Sequence, residues 1–432
     1  MNNTIHIQQG RLIDPANAID QIQDLFIADS KVVALGDAPE DWHADRTIDA
    51  TGMIVCPGLI DLCANLREPG LEHKATIQSE TRAAAAAGIT TLCCPPDTNP
   101  VIDTPAVLEL IKQRAEDAAA ARVIGIGALT RKLQGKELSE MGALQKAGCP
   151  ALSNQRGSAD NLQVTRLAME YASSFGITLF LHAEDPCLAD HGCAHEGRIA
   201  TRLGLPAIPA AAETAAVAQY LALIEETGVR AHFCRISTRR GAQMIARAHY
   251  EGVRVSADVA MHQLFLSEMD IADFNPHCHV RPPLRTQRDR DSLRAAVADG
   301  VIMAICSDHQ PHEDDAKLAP FPATEPGISA IDSLLGLGMR LVEENILSIN
   351  TLIERLTSGP ASILGLDSGK LQVGQRADIC IFDPQQDWIL NQQSMRSQGK
   401  NTPFMGWEFR GQVYYTLVDG IIVHQKPRGQ SS

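Results

Sequence analysis

The residues best suited to chemistry come in short clusters at the ends of apolar runs. Gly58-Leu59-Ile60 leads into Asp61, Cys63, Asn65 and Arg67, and Glu68-Pro69-Gly70 then turns the chain away. Later clusters are Asn154-Gln155, His182-Ala183-Glu184-Asp185, His232-Phe233-Cys234-Arg235 and Asp308-His309-Gln310-Pro311-His312. Imidazoles, carboxylates and thiols are the groups that hold divalent metals or move protons. An apolar run that ends in such groups reads as a buried strand with a chemical tip. A (β/α)8 barrel builds its active site from the C-terminal tips of all its strands.

The elements that must position these clusters are legible as alternation. Candidate strands fall at 59–65, 89–95, 122–128, 151–154, 177–183, 231–236, 253–259 and 302–308. Between them, 77–87, 105–121, 161–175, 213–226 and 241–250 fit helices, which predicts an α/β chain with a TIM-type barrel over 57–366. A doubly wound open sheet is the competing architecture, but no glycine-rich phosphate loop follows the first strand. The two ends are strand-rich. Runs at 4–8, 24–28, 31–35, 46–48 and 53–56, and at 370–373, 378–382, 412–418 and 421–423, predict a small β-sandwich built from 1–56 and 367–432.

Bulk properties narrow the function. The formal charge of −14 over 432 residues, with no long basic run, argues against nucleic acid or an anionic membrane as partner. The start of the chain has neither a basic region nor an apolar signal core, and no apolar stretch approaches ~20 residues, so a cytoplasmic protein is expected. Eleven cysteines lie scattered with no Cys-x-x-Cys spacing, which predicts reduced thiols. Cys63, Cys93, Cys94 and Cys306 near strand tips could form a thiolate metal site, or simply pack a barrel interior. His277-Cys278-His279 is a metal-binding tripeptide by type, alone in a Pro-flanked loop.

Along nearly its whole length the chain resembles the dihydroorotases: PGLID, the EPG turn, MGALQKAGCPALS, FLHAED, LGLPAIPAAAE, PPLR, SDHQPH, NTPFMG and the strand near 371–378. That resemblance implies a zinc site with two His from strand 1, a bridging carboxylate or modified Lys from strand 4, one His each from strands 5 and 6, and an Asp from strand 8. Four of the six positions are altered: Cys63 and Asn65 replace the strand-1 histidines, an amide at Asn154 in the 153–157 motif replaces the carboxylate, and Arg235 replaces the strand-6 histidine. His182 and Asp308 survive. Substrate-side positions implied by the resemblance are Arg67, Asp97, Arg281 and His312, with Asp97 and Arg281 standing where the family has Asn.

Magnitudes turn these departures into a functional expectation. Zinc lowers the pKa of bound water from ~15.7 to ~7, which is worth on the order of 12 kcal/mol of nucleophile activation. Acid–base help from a remaining His182 or Asp308 supplies only about 3–5 kcal/mol. The expectation is a non-catalytic chain without a cofactor, in which Arg235 neutralises Asp308. The resemblance is to dihydroorotase-like subunits that assemble with the aspartate carbamoyltransferase catalytic subunit in pyrimidine biosynthesis, with self-association inside the complex. The competing readings are a zinc-dependent cyclic amidohydrolase with an atypical metal site, and a binding module for an anionic metabolite using Arg67, Arg235 and Arg281.

Overall fold

The computed structural model describes residues 4–155 and 161–427; Arg156 and Gly157 of the fourth-strand motif, and residues 1–3 and 428–432 of the terminal assignment, lie outside the described residues. Eight parallel strands make the barrel: β1 Leu59–Asp61, β2 Ile89–Cys94, β3 Arg122–Gly125 continued as Gly127–Ala128, β4 Ala151–Ser153, β5 Thr178–His182, β6 Ala231–Cys234, β7 Val255–Ala260 and β8 Ala304–Cys306. Each pairs with its neighbour in chain order. At the break in β3, the Ile126 N–H still reaches Cys94 O at 2.9 Å. The ring closes where a parallel bridge joins Ala64 to His309, with Asn65 N–H donating to His309 O at 2.9 Å.

Strand alternation sorts the side chains into two layers. Ile60, Cys63, Cys93, Phe180, Cys234 and Cys306 fill the barrel interior. Cys94 points the other way, into the layer shared with the helices, and therefore takes no part in a thiolate group at the mouth. The helix Ile77–Ala86 starts at a capping box in which Thr76 and Ser79 exchange side-chain and backbone hydrogen bonds. β1, β6 and β8 end earlier than the sequence predicts. Their last residues leave the ladder, with φ of 54° at Arg235 and 47° at Asp308.

The chain ends share one curled sheet, in the order Ile421–Gln425, Glu408–Val418, Ile379–Ile389, Ile54–Pro57, Ile5–Asp14, Ile19–Ala28 and Lys31–Leu35. Ile5–Asp14 pairs with Arg46–Asp49 along its first half and with Ile54–Pro57 along its second. A register shift between Ile7 and Gly10 lets it change partners. Gly10 is required there, because a Cβ would lie 2.4 Å from Val55 Cγ2. The sheet folds over a core that includes Ile7, Leu12, Leu25, Ile27, Ile379 and Ile381. The expected strand at 370–373 does not form: the Asp14 carboxylate accepts the Leu371 N–H at 2.7 Å and pins the segment outside the ladder.

Candidate functional site at the barrel mouth

Arg235 occupies the centre of the mouth. Its Nη1 donates to Cys63 Sγ at 2.7 Å, its Nη2 donates to Gln155 Oε1 at 3.1 Å, and its Nε lies 3.7 Å from Asp308 Oδ1. Cys63 in turn donates its thiol to Asp308 Oδ1 at 3.5 Å, and Gln310 Nε2 donates to the same oxygen at 3.1 Å. A neutral thiol serves both contacts, accepting from the guanidinium and donating to the carboxylate. Burial pushes the Cys63 thiol well above its ordinary range despite Arg235 beside it, which keeps it in that neutral form. Arg235 and Asp308 are 2% and 1% exposed, so this is a fully buried ion pair.

The network continues across the mouth. Asp97 accepts from Asn65 Nδ2 at 3.1 Å and from Gln155 Nε2 at 3.3 Å, linking the tip of β1 to the loop after β2 and the end of β4. Gln155, rather than Asn154, is the amide that enters the mouth. Asn154 is spent on β5, donating to His182 O at 3.1 Å and accepting the His182 N–H at 2.8 Å, with Tyr220 Oη as a further partner. The sequence places the replaced carboxylate at Asn154, and the structure moves it to Gln155 because of the left-handed turn there, φ 42°. Arg67, Gln155, Arg235 and Asp308 all have positive φ. Each such non-glycine residue costs about 1–3 kcal/mol, and such strain collects where a fold holds side chains at one point.

The substrate-side positions are equally engaged. Arg67 Nε donates to Pro311 O at 3.0 Å and its Nη2 lies 3.0 Å from His312 Nε2. Lys74 Nζ donates to His312 Nδ1 at 3.1 Å. Burial, then the charges of Arg67, Lys74 and Lys317, push His312 down to about 2, so the ring is neutral. Arg281 forms an ion pair with Glu184. The cavity that touches Asn65, Arg67 and Asp97 measures about 10 Å³, space for roughly one water.

Under Arg235 lies a second polar group that sequence reasoning missed. Among the described residues, the ligand-type atoms of His232, Cys234 and Asp258 lie within 4.8 Å of one another. They are bound to protein already. His232 Nε2 and Asp258 Oδ2 are 3.0 Å apart, His232 Nδ1 and Ser256 Oγ are 2.9 Å apart, and Asp258 Oδ1 accepts the Arg235 N–H. An acid at the inward register of β7 was the available signal: alternation through Val255, Ala257 and Val259 places Ser256 and Asp258 on the opposite face. His277 and His279 flank Cys278 but do not act together, because His279 Nδ1 bonds Thr324 Oγ1 at 2.8 Å.

The donor set does not fit the zinc pair that the family resemblance implies. A guanidinium cannot ligate a metal, its charge repels one, and it sits against Cys63, Gln155 and Asp308 where metal-binding donors would need to converge. His182 remains at the end of β5, 4% exposed.

Comparison with known proteins gives the lineage. Residues 52–241 match the Dihydro-orotase-like family and residues 189–424 the Amidohydrolase family. The chain is 51% identical to a dihydroorotase-like protein of Pseudomonas putida over 421 residues, 98% of this chain and 99% of the relative. A dihydroorotase-like protein of Pseudomonas aeruginosa is 50% identical over 98% of this chain and 100% of its own. The dihydroorotase of Syntrophotalea carbinolica is 40% identical, over 98% of this chain and 99% of its own. Among solved structures, the L-hydantoinase of Arthrobacter aurescens superposes with a TM-score of 0.89 at 24% identity, covering 99% of this chain and 97% of that one, a likeness of fold.

Proposed function

From the premise that the chain belongs to the dihydroorotase-like family of amidohydrolases, we propose that it is a non-catalytic member that works by assembly, supporting the aspartate carbamoyltransferase catalytic subunit in pyrimidine biosynthesis. The observation that carries this reading is the guanidinium of Arg235 in the middle of the mouth, bonded on one side to Cys63 and on the other to Gln155. Asp97 likewise joins Asn65 to Gln155, which supports a mouth occupied by its own side chains. Its residues bond one another.

With chemistry set aside, the intact barrel and curled sheet offer surface, and the identity of the partner follows from the family resemblance. The same engagement weakens the anionic-metabolite reading of the mouth, since Arg281 is held by Glu184 and Arg235 by Asp308. No described helix is long and apolar enough to cross a membrane. The cysteines are unpaired thiols, which supports a reducing cytoplasmic setting.

Two measurements on the purified chain test the proposal together. Metal analysis after dialysis against a weak chelator is expected to find no stoichiometric zinc, and dihydroorotate hydrolysis is expected at background. Sedimentation of the chain mixed with the transcarbamoylase is expected to give a larger particle of fixed composition. Zinc that survives dialysis and disappears in His182→Ala would overturn the non-catalytic half. Separate, unshifted boundaries at micromolar concentrations with unchanged transcarbamoylase activity would overturn the assembly half.

A further inference from the structure

A cavity of about 670 Å³ lies where the C-terminal end of the helix Ile77–Ala86 meets the strands Glu408–Val418 and Ile421–Gln425. Leu335 and Val413 give it apolar wall, and Arg396, His424 and Lys426 bring basic side chains to it. None of the ion pairs among the described residues involves these three. One acid, Asp332, reaches the cavity, and its carboxylate already accepts the backbone N–H groups of Arg396 at 2.6 Å and Ser397 at 3.2 Å. Lys426 finds only an amide, donating to Gln412 Oε1 at 2.9 Å.

The basic groups act on one another. Burial, then Arg396 and Lys426, push His424 down to about 4, and burial with Arg396 lowers Lys426 as well. Trp388 lines the same cavity. The space is of the size that holds a small molecule. Mutually repelling cations with room beside them make one demand. The missing component is an acceptor with negative charge.

We propose that this cavity binds a small oxyanion, a carboxylate- or phosphate-bearing metabolite, held by Arg396 and Lys426. The site is separate from the barrel mouth and stands whether or not the mouth is catalytic. Its neutral His424 gives a local reporter, because an anion alongside favours the protonated ring and raises its pKa.

Calorimetric titration of the full chain with inorganic phosphate, and separately with succinate, tests the site at low ionic strength. Saturable one-site binding is expected for at least one of them, about 10-fold or more weaker in the Arg396→Gln/Lys426→Gln double variant, the loss expected for charge-assisted hydrogen bonds. NMR titration of His424 is expected to show its pKa rising on saturation. Binding of phosphate alone assigns phosphate esters to the site, and binding of succinate alone assigns carboxylates. Absence of saturable binding for both into the tens of millimolar, or unchanged affinity in the double variant, would overturn the proposal.

Discussion

Arg235 in the barrel mouth and Arg396 in the cleft beside the terminal sheet are the same side chain in opposite circumstances. Arg235 has a carboxylate at 3.7 Å and a thiol and an amide in hydrogen bonds. Arg396 shares some 670 Å³ with Lys426 and His424, and among the described residues no carboxylate pairs with its guanidinium. Charge that the fold balances internally has become structure, while charge left unbalanced beside open space remains available to a ligand. The lesson is that a family's pocket and a chain's pocket need not coincide.

Breaking the balance in the mouth gives the largest expected effect. Arg235→Met keeps most of the volume but strands Asp308 in the interior, and removing one partner of a buried ion pair costs about 3–5 kcal/mol. Adding Asp308→Asn removes the stranded charge, so the double variant is expected to recover a substantial part of that loss in denaturant melts. Equal, additive losses would mean that Arg235 and Asp308 do not compensate each other.

His312 sharpens the comparison through pH. The unfolded imidazole takes up a proton near pH ~6.5, but burial and the neighbouring cations hold the folded ring neutral down to about 2. Across that window the unfolded state binds the additional proton, so this contribution to stability is intact above pH ~6.5 and is lost as the pH falls, by about 1.4 kcal/mol per pH unit. His312→Asn is expected to flatten the stability profile between about pH 6 and pH 4 by one proton. An unchanged slope in thermal melts would show that the ring already accepts a proton in the folded state.

The cleft gives the smallest effect on stability, and that is the point of comparison. Arg396→Gln with Lys426→Gln is expected to change stability by less than about 0.5 kcal/mol in the absence of ligand, because neither cation joins an ion pair among the described residues and the change relieves their mutual repulsion. The same change removes the two cations that depress His424, so its NMR pKa is expected to rise from about 4. A destabilisation comparable to that of Arg235→Met would place these charges among the structural ones.

Much of this was legible in the sequence because it is written in local periodicity. All eight barrel strands lie on the apolar runs that predict them, and the replaced positions Cys63, Asn65 and Arg235 do meet at one mouth. The pairing of Arg235 with Asp308 followed from charge alone, since one buried acid needs a counter-charge. What local pattern did not carry was direction. Asn154 and Gln155 are adjacent amides, and only the left-handed turn at Gln155 decides which faces the mouth. The 370–373 run has strand composition but is captured by Asp14, a partner more than 350 positions away. The cleft was invisible for a similar reason: Trp388, Arg396 and Lys426 lie on different segments that only the folded sheet brings together.

The curled terminal sheet also sets an order of events during synthesis. Ile54–Pro57 leaves the ribosome early, yet one of its edges is completed only by Ile379–Ile389, after the whole barrel has been made. At ~5–20 residues per second, the wait is on the order of tens of seconds. Through that interval a four-residue, fully buried strand carries an unpaired edge, the kind of surface that recruits other chains or chaperones. Cys56 and Cys380, which end as register partners across this seam, mark the place where a nascent chain becomes a finished one.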